Sequence, residues 1–144
     1  MNEQKEAMLA ALKEQAAAQG LTRFLGTELE EVAPGRARVA MTCKPEMANI
    51  LGMVHGTALF ALIDEAFQAA VNSHGTVAVA LNLSLTFHQA PAMGERLVAE
   101  AREIHTSRRT ATCHIQVTDS RGGLVASCLA LAYRKNQPLP FGQE

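Results

Sequence analysis

Polar and apolar positions along the chain change period several times, and each change marks an element. From Glu3 to about Gln19 the chain is dominated by Ala, Leu, Lys, Glu and Gln, all strong helix formers. Met8, Leu9, Leu12 and Ala16 fall at i, i+1, i+4 and i+8 and form one apolar face, with Asn2 as N-cap and Gly20 as a stop. The opposite face is not notably basic, so this is an amphipathic helix packed on the domain or a neighbour rather than on a membrane surface. Leu25 to Val32 and Arg36 to Cys43 read as two strands joined at Ala33-Pro34-Gly35. In the second, Ala37, Val39 and Met41 alternate with Arg38, Ala40 and Thr42, a half-buried pattern. Lys44 to Val54 keeps no period, contains Pro45 and Gly52, and reads as a long loop of the kind that often carries function.

The period then becomes helical. From Gly56 to Asn72, closed by His74-Gly75, the chain is apolar almost all round, and between Ala58 and Val71 only Asp64, Glu65 and Gln68 are polar. A helix of this kind is normally buried, and it is shorter than the roughly 20 residues that cross a bilayer. It is therefore expected to be a central core helix that carries carboxylates into its own surroundings. An ionised carboxylate there is costly unless it is paired or has a task.

Beyond the helix the period is two. Thr76 to His88 sets Val77, Val79, Leu81, Leu83, Leu85 and Phe87 in alternation, and a turn follows at Pro91-Ala92-Met93-Gly94. Arg96 to His105, Thr110 to Asp119 and Leu124 to Tyr133 continue the series, separated by Thr106-Ser107-Arg108-Arg109 and by the hairpin signal Ser120-Arg121-Gly122-Gly123. The tail after Lys135 holds two prolines and is expected to be irregular. These last turns are too short for parallel crossovers, so the strands pair antiparallel. The expected architecture is α+β: one curled antiparallel sheet wrapped around the central helix, with an extra N-terminal helix. The whole of 1–144 reads as a single domain, with 1–20 the N-terminal helix and 136–144 the tail.

Composition narrows the partners. Thirteen basic and 14 acidic residues leave a formal charge of −1, without the basic footprint of a nucleic-acid binder. The opening Met-Asn-Glu-Gln-Lys-Glu lacks a secretory pattern, and a cytoplasmic protein with no membrane partner is expected. Cys43, Cys113 and Cys128 fit no zinc spacing and read as packed, reduced thiols. His74, His88, His105 and His114 share no spacing with acids or thiols, so no metal is assigned.

The segment Asn49-x5-His55-Gly56-x7-Asp64, with Ala66-Phe67 and Asn72-Ser73 behind it, resembles the hotdog-fold thioesterases of the phenylacetate-degradation (PaaI) type. Leu85-Thr86-Phe87 leading to Pro91-x-x-Gly94-Glu95 matches the way that family leaves its third strand, and the resemblance runs from about Phe24 to Arg134. It departs at Thr57, where the family commonly has a second glycine. The resemblance implies a hotdog fold and hydrolysis of an acyl-CoA thioester without a cofactor. Asp64 would be nucleophile or general base, the Gly56 amide would polarise the carbonyl, and His55 and Asn49 would position thioester and water.

Physical chemistry bears on each of these roles. Gly56 opens a helix, where free N–H groups and the macrodipole favour negative charge, and it has no Cβ to block a carbonyl. Gly56 and Asp64 are eight residues apart, about 12 Å along one helix, whereas a base must come within about 3 Å of its target. If both act on one thioester, Asp64 comes from a second subunit across a two-fold axis. A homodimer is the minimum, and a dimer of dimers remains open.

Other readings stand beside these. Asp64 could be a structurally paired acid, His55 a backbone cap and Asn49 a turn residue, while Thr57 is a substrate-binding candidate that lends its hydroxyl to the carbonyl or else satisfies first-turn backbone. Glu65 faces about 100° away from Asp64 and reads as structural. Asn72 and Ser73 finish the helix or line the acyl pocket of a neighbouring chain, and Phe60 is a candidate pocket residue. Arg108 and Arg109, followed by Arg96 and Arg134, are candidates for the phosphates of coenzyme A or else solvated turn charges. Two rival functions are a non-catalytic acyl-CoA-binding hotdog protein and a hotdog enoyl-thioester hydratase or dehydratase. A serine hydrolase is disfavoured because no G-x-S-x-G motif appears.

Overall fold

A computed structural model describes residues 1–143. Helix α1 (Glu3–Ala18) starts as expected, with Asn2 Oδ1 accepting from the Lys5 amide at 2.9 Å, and Leu9 and Leu12 bury its apolar face. It ends one residue early. Gln19 turns to extended backbone, and Gly20, expected as the stop, opens a second helix, α2 (Gly20–Leu25). The strand expected from Leu25 begins only at Glu28, because Gly26 in the left-handed region (φ 71°) closes α2 first.

The sheet consists of β1 (Glu28–Ala33), β2 (Arg36–Thr42), β3 (Thr76–Phe87), β4 (Arg96–Thr106), β5 (Thr110–Thr118) and β6 (Leu124–Pro138). Their spatial order is β1-β2-β4-β5-β6-β3, antiparallel throughout. β6 outruns its expected end at Tyr133 and takes in part of the tail, because the long β3 supplies it with partners as far as Thr76 opposite Pro138. Leu139 then buries itself, its amide donating to Gly75 O at 3.1 Å.

Helix α3 (Gly56–Asn72) lies against the concave face, where Val39, Met41, Leu97, Ile115 and Val117 pack with its Leu62, Ile63, Ala66 and Phe67. Cys43, Cys113 and Cys128 are buried and reduced. The sheet does not close around the helix. Thr57, Phe60 and Gln68 are exposed and Asp64 is half-buried, all within an arc of roughly 120° of the helix circumference. A helix apolar all round was expected to be covered all round, and in the single chain one strip of it stays open.

Candidate active site

Long-range polar contacts are few around α3, and they separate the structural residues from the available ones. Glu65 is structural, as expected. Its carboxylate accepts from Thr22 Oγ1 at 2.7 Å and Thr27 Oγ1 at 2.5 Å, which clamps both ends of α2 to the central helix. Asp64, one residue earlier, makes no hydrogen bond or ion pair among the described residues. Burial, and then the neighbouring Glu65 charge, push its carboxyl above the usual carboxylate range.

The N-terminus of α3 is prepared by His55. Its Nδ1 accepts from the Thr57 amide at 3.0 Å and its carbonyl accepts from Ala58 N at 3.0 Å, while its own amide is held by Met47 O at 2.7 Å. An Nδ1 that accepts places the proton of the neutral ring on Nε2. The exposed edge of the ring is therefore a donor. Of the first-turn amides of α3, only that of Gly56 has no partner among the described residues. It is a free donor at the positive end of a helix dipole.

Asn49 sits beside this end. Its Oδ1 accepts from Leu51 N at 2.9 Å and Met53 N at 3.1 Å, so the carboxamide oxygen shapes the loop. Its Nδ2 makes no hydrogen bond among the described residues and is free to donate. Both readings of Asn49 thus hold for different atoms. Thr57 is exposed, its hydroxyl without a partner among the described residues, and Phe60 is 42% exposed one turn on.

The other expected binding residues lie elsewhere. Asn72 is engaged by Gln68 O, Ala78 O and Ala78 N, and fastens α3 to β3. Ser73 is fully buried, donating to Ala70 O at 2.6 Å and accepting from Gly35 N at 2.7 Å. Both finish the helix, roughly 24 Å from Gly56 along its axis, and neither offers a free group to an acyl chain. The Arg108-Arg109 turn joins β4 to β5 at that same far end, where Thr110 pairs Tyr133, whereas Phe87 and Ala126 pair at the Gly56 end. Arg109 Nη1 donates to Tyr133 Oη at 3.3 Å, and Arg134 Nη1 to Ser107 O at 2.7 Å. Arg96 is ion-paired with Glu30 at 2.7 Å. Within one chain the Arg108-Arg109 turn and Arg134 lie away from the Gly56 end, and Arg96, at the near end of β4, is committed to Glu30.

Phe87 is the neighbour that sequence reasoning missed. A Cβ on Gly56 would sit 3.3 Å from Phe87 Cζ, so the ring end of β3 closes against the glycine. Alternation along β3 marked Phe87 as apolar, but nothing local paired it with a residue 31 positions earlier.

Among the described residues no cluster of His, Cys, Asp and Glu could hold a metal ion, and no helix is long and apolar enough to cross a membrane.

Known proteins share this sequence and shape. The thioesterase superfamily pattern matches residues 51–126, from the loop before His55 to the start of β6. A relative from Archaeoglobus fulgidus is 38% identical over 83% of this chain and 78% of its own. The acyl-coenzyme A thioesterase PaaI of Escherichia coli is 33% identical over 72% and 74%. The solved structure of the E. coli PaaI protein from the phenylacetic acid degradation operon superposes with a TM-score of 0.87 at 26% identity, covering 93% of this chain and 97% of that one. The chain belongs to the thioesterase superfamily, and its fold is the PaaI-like hotdog.

Proposed function

We propose that the protein is an acyl-CoA thioesterase whose site is completed across a two-fold axis. The observation that carries this reading is the free first-turn amide of Gly56, which follows His55 with its Nε2–H and the loop in which Asn49 keeps its Nδ2 free. A thioester carbonyl seated there gains donors that strengthen as the oxygen becomes an oxyanion. The partner's Asp64 acts as nucleophile on the carbonyl carbon or as general base on a water. In the base form the water proton passes to the carboxylate, and breakdown of the tetrahedral intermediate expels the CoA thiolate, which takes the proton up.

The pairing is supported by what the single chain leaves open. β3 is a 12-residue edge strand with one side unpaired, carrying Val79, Leu81 and Phe87 exposed. A long apolar edge of this kind needs a cover. The strip of α3 that holds Phe60 and Asp64 is likewise uncovered. Antiparallel pairing of two such edges reverses one chain against the other, which carries the partner's Asp64 toward Gly56. The same reversal would carry the Arg108-Arg109 turn of the other chain toward this mouth, where the phosphates of CoA need cations.

Mixed dimers test the reading. Gly56→Pro and Asp64→Ala chains, each inactive alone, are mixed, and CoA thiol release is followed on aryl, short-chain and long-chain acyl-CoAs. Random pairing restores one intact site in half of the dimers, about a quarter of wild-type activity. Recovery near zero with dimers formed would place both residues' work within one chain. Tight acyl-CoA binding without turnover in the wild type would mean a binding protein.

A further inference from the structure

One sizeable cavity lies away from the proposed active site. It is a groove of about 600 Å³ between α1 and the convex face of the sheet, within the size range of small-molecule sites. Its floor carries a row of basic side chains set by strand register. Arg36 on β2 lies directly opposite Arg102 on β4, and Arg102 directly opposite His114 on β5. Their chain neighbours Ala37, Ala101 and Ile115 are buried in the core, so by strand alternation these three point outward together.

Like charges directly opposite each other destabilise a sheet. The adjacent row of the same strands avoids this, with Arg38 opposite Glu100 and ion-paired to it at 3.6 Å. In the Arg36 row no side chain compensates. Arg36, Arg102 and His114 make no side-chain hydrogen bond or ion pair among the described residues. The acids that line the groove are mostly committed: Glu30 to Arg96, and Glu31 and Glu100 to Arg38. Glu6 on α1 is the acid left over, and Lys13 adds a further cation, its Nζ donating to Glu30 O at 2.9 Å.

We propose that this groove binds a small molecule bearing two or more phosphate groups. Neighbouring side chains in such a row are about 5 Å apart at Cβ, so the row spans more than one anionic group needs and suits two. The guanidinium forks of Arg36 and Arg102 match phosphate oxygens in geometry as well as charge. The groove lies at the Ser73 end of α3 and on the other face of the sheet from Gly56. Within one chain the groove is thus apart from the Gly56 end, and its assignment does not depend on the proposed reaction.

The test is calorimetric titration of the purified wild-type chain with ADP and with inorganic pyrophosphate at low salt, beside Arg36→Gln/Arg102→Gln and the control Arg121→Gln at the β5–β6 turn. Saturable binding is expected, weakened by about tenfold or more in the double variant and unchanged in the control. Preference for ADP would identify a nucleotide, and equal binding the phosphates alone. Removing the like-charge pair should raise the melting temperature of the ligand-free double variant, so loss of binding will not reflect loss of fold. A wild type that binds neither probe, or a double variant that binds as well as wild type, overturns the site. A double variant that instead changes the oligomeric state, without any probe binding, reassigns the row to a contact between copies.

Discussion

His55 Nδ1 lies 3.0 Å from the amide of Thr57, and this hydrogen bond sets the direction of both functional donors at the head of the central helix. It caps the helix, holds the ring proton on Nε2, and leaves the Gly56 amide as the uncommitted first-turn donor. In the proposed reaction cap and carbonyl donor are thus two jobs of one side chain, and they can be separated. His55→Asn keeps a good N-cap and removes the Nε2–H, whereas His55→Ala loses both, at about 1 kcal/mol of stability. Thermal unfolding should rank His55→Asn near wild type and His55→Ala below it. Turnover should fall in both, by about tenfold or more.

Gly56→Pro deletes the amide itself. The first helical position tolerates proline, and His55 at φ −66°, ψ 135° already has the extended backbone that precedes one. The variant should fold and form dimers, with thioester turnover lowered by about 100-fold or more. The Phe87 ring against the glycine gives a second check. Gly56→Ala should lower the melting temperature through that contact, and adding Phe87→Leu should restore part of it.

In the proposed reaction Asp64 trades stability for chemistry. Its folded pKa is raised by burial and then by Glu65, so the native state holds the proton more tightly than the unfolded chain does. That contribution is full below the ordinary carboxylate range and is lost as pH rises through the raised value. At neutral pH the ionised group therefore works against folding. Asp64→Asn should unfold at the same temperature as wild type or higher at pH 7, while turnover drops by about 100-fold. In the wild type the acidic limb of kcat/KM should lie above the pKa of an ordinary aspartate. Dimer content measured across the same pH range keeps assembly apart from ionisation.

Glu65, next in the chain, should behave in the opposite way. Glu65→Ala leaves the Thr22 and Thr27 hydroxyls without their acceptor, at a cost of about 1–3 kcal/mol. Chemical denaturation should show that loss, and kcat of the folded fraction should stay close to wild type.

The three thiols should be silent in the native protein. Burial pushes Cys113 up to about 12 and Cys128 up to about 11, and raises Cys43 as well. A disulfide reagent should therefore titrate none of them before unfolding and all three after it. Thiol-release assays of the wild type would then report CoA alone.

The sequence by itself determined the parts that rest on local physics. An apolar run opened by His55-Gly56 and closed after Asn72 is a helix by period and capping, and its limits agree with the structure. Alternation in Thr76 to Phe87 and the short turns after it require antiparallel strands, and the isolated acid pair marked Asp64 as unusual. Register and long-range partners came only with the tertiary structure, because they join residues dozens of positions apart. Glu65 became structural through Thr22 and Thr27, Asn72 and Ser73 became ties to β3 and Gly35, and α2 replaced the start of a strand where Thr22 within it and Thr27 just after it reach the central helix. β6 continued into the expected tail because β3 was long enough to pair with it. The row Arg36, Arg102 and His114 exists in no stretch of sequence. Three strands had to align before those basic side chains could face one groove, and a one-residue slip in any pairing would have turned one of them into the core.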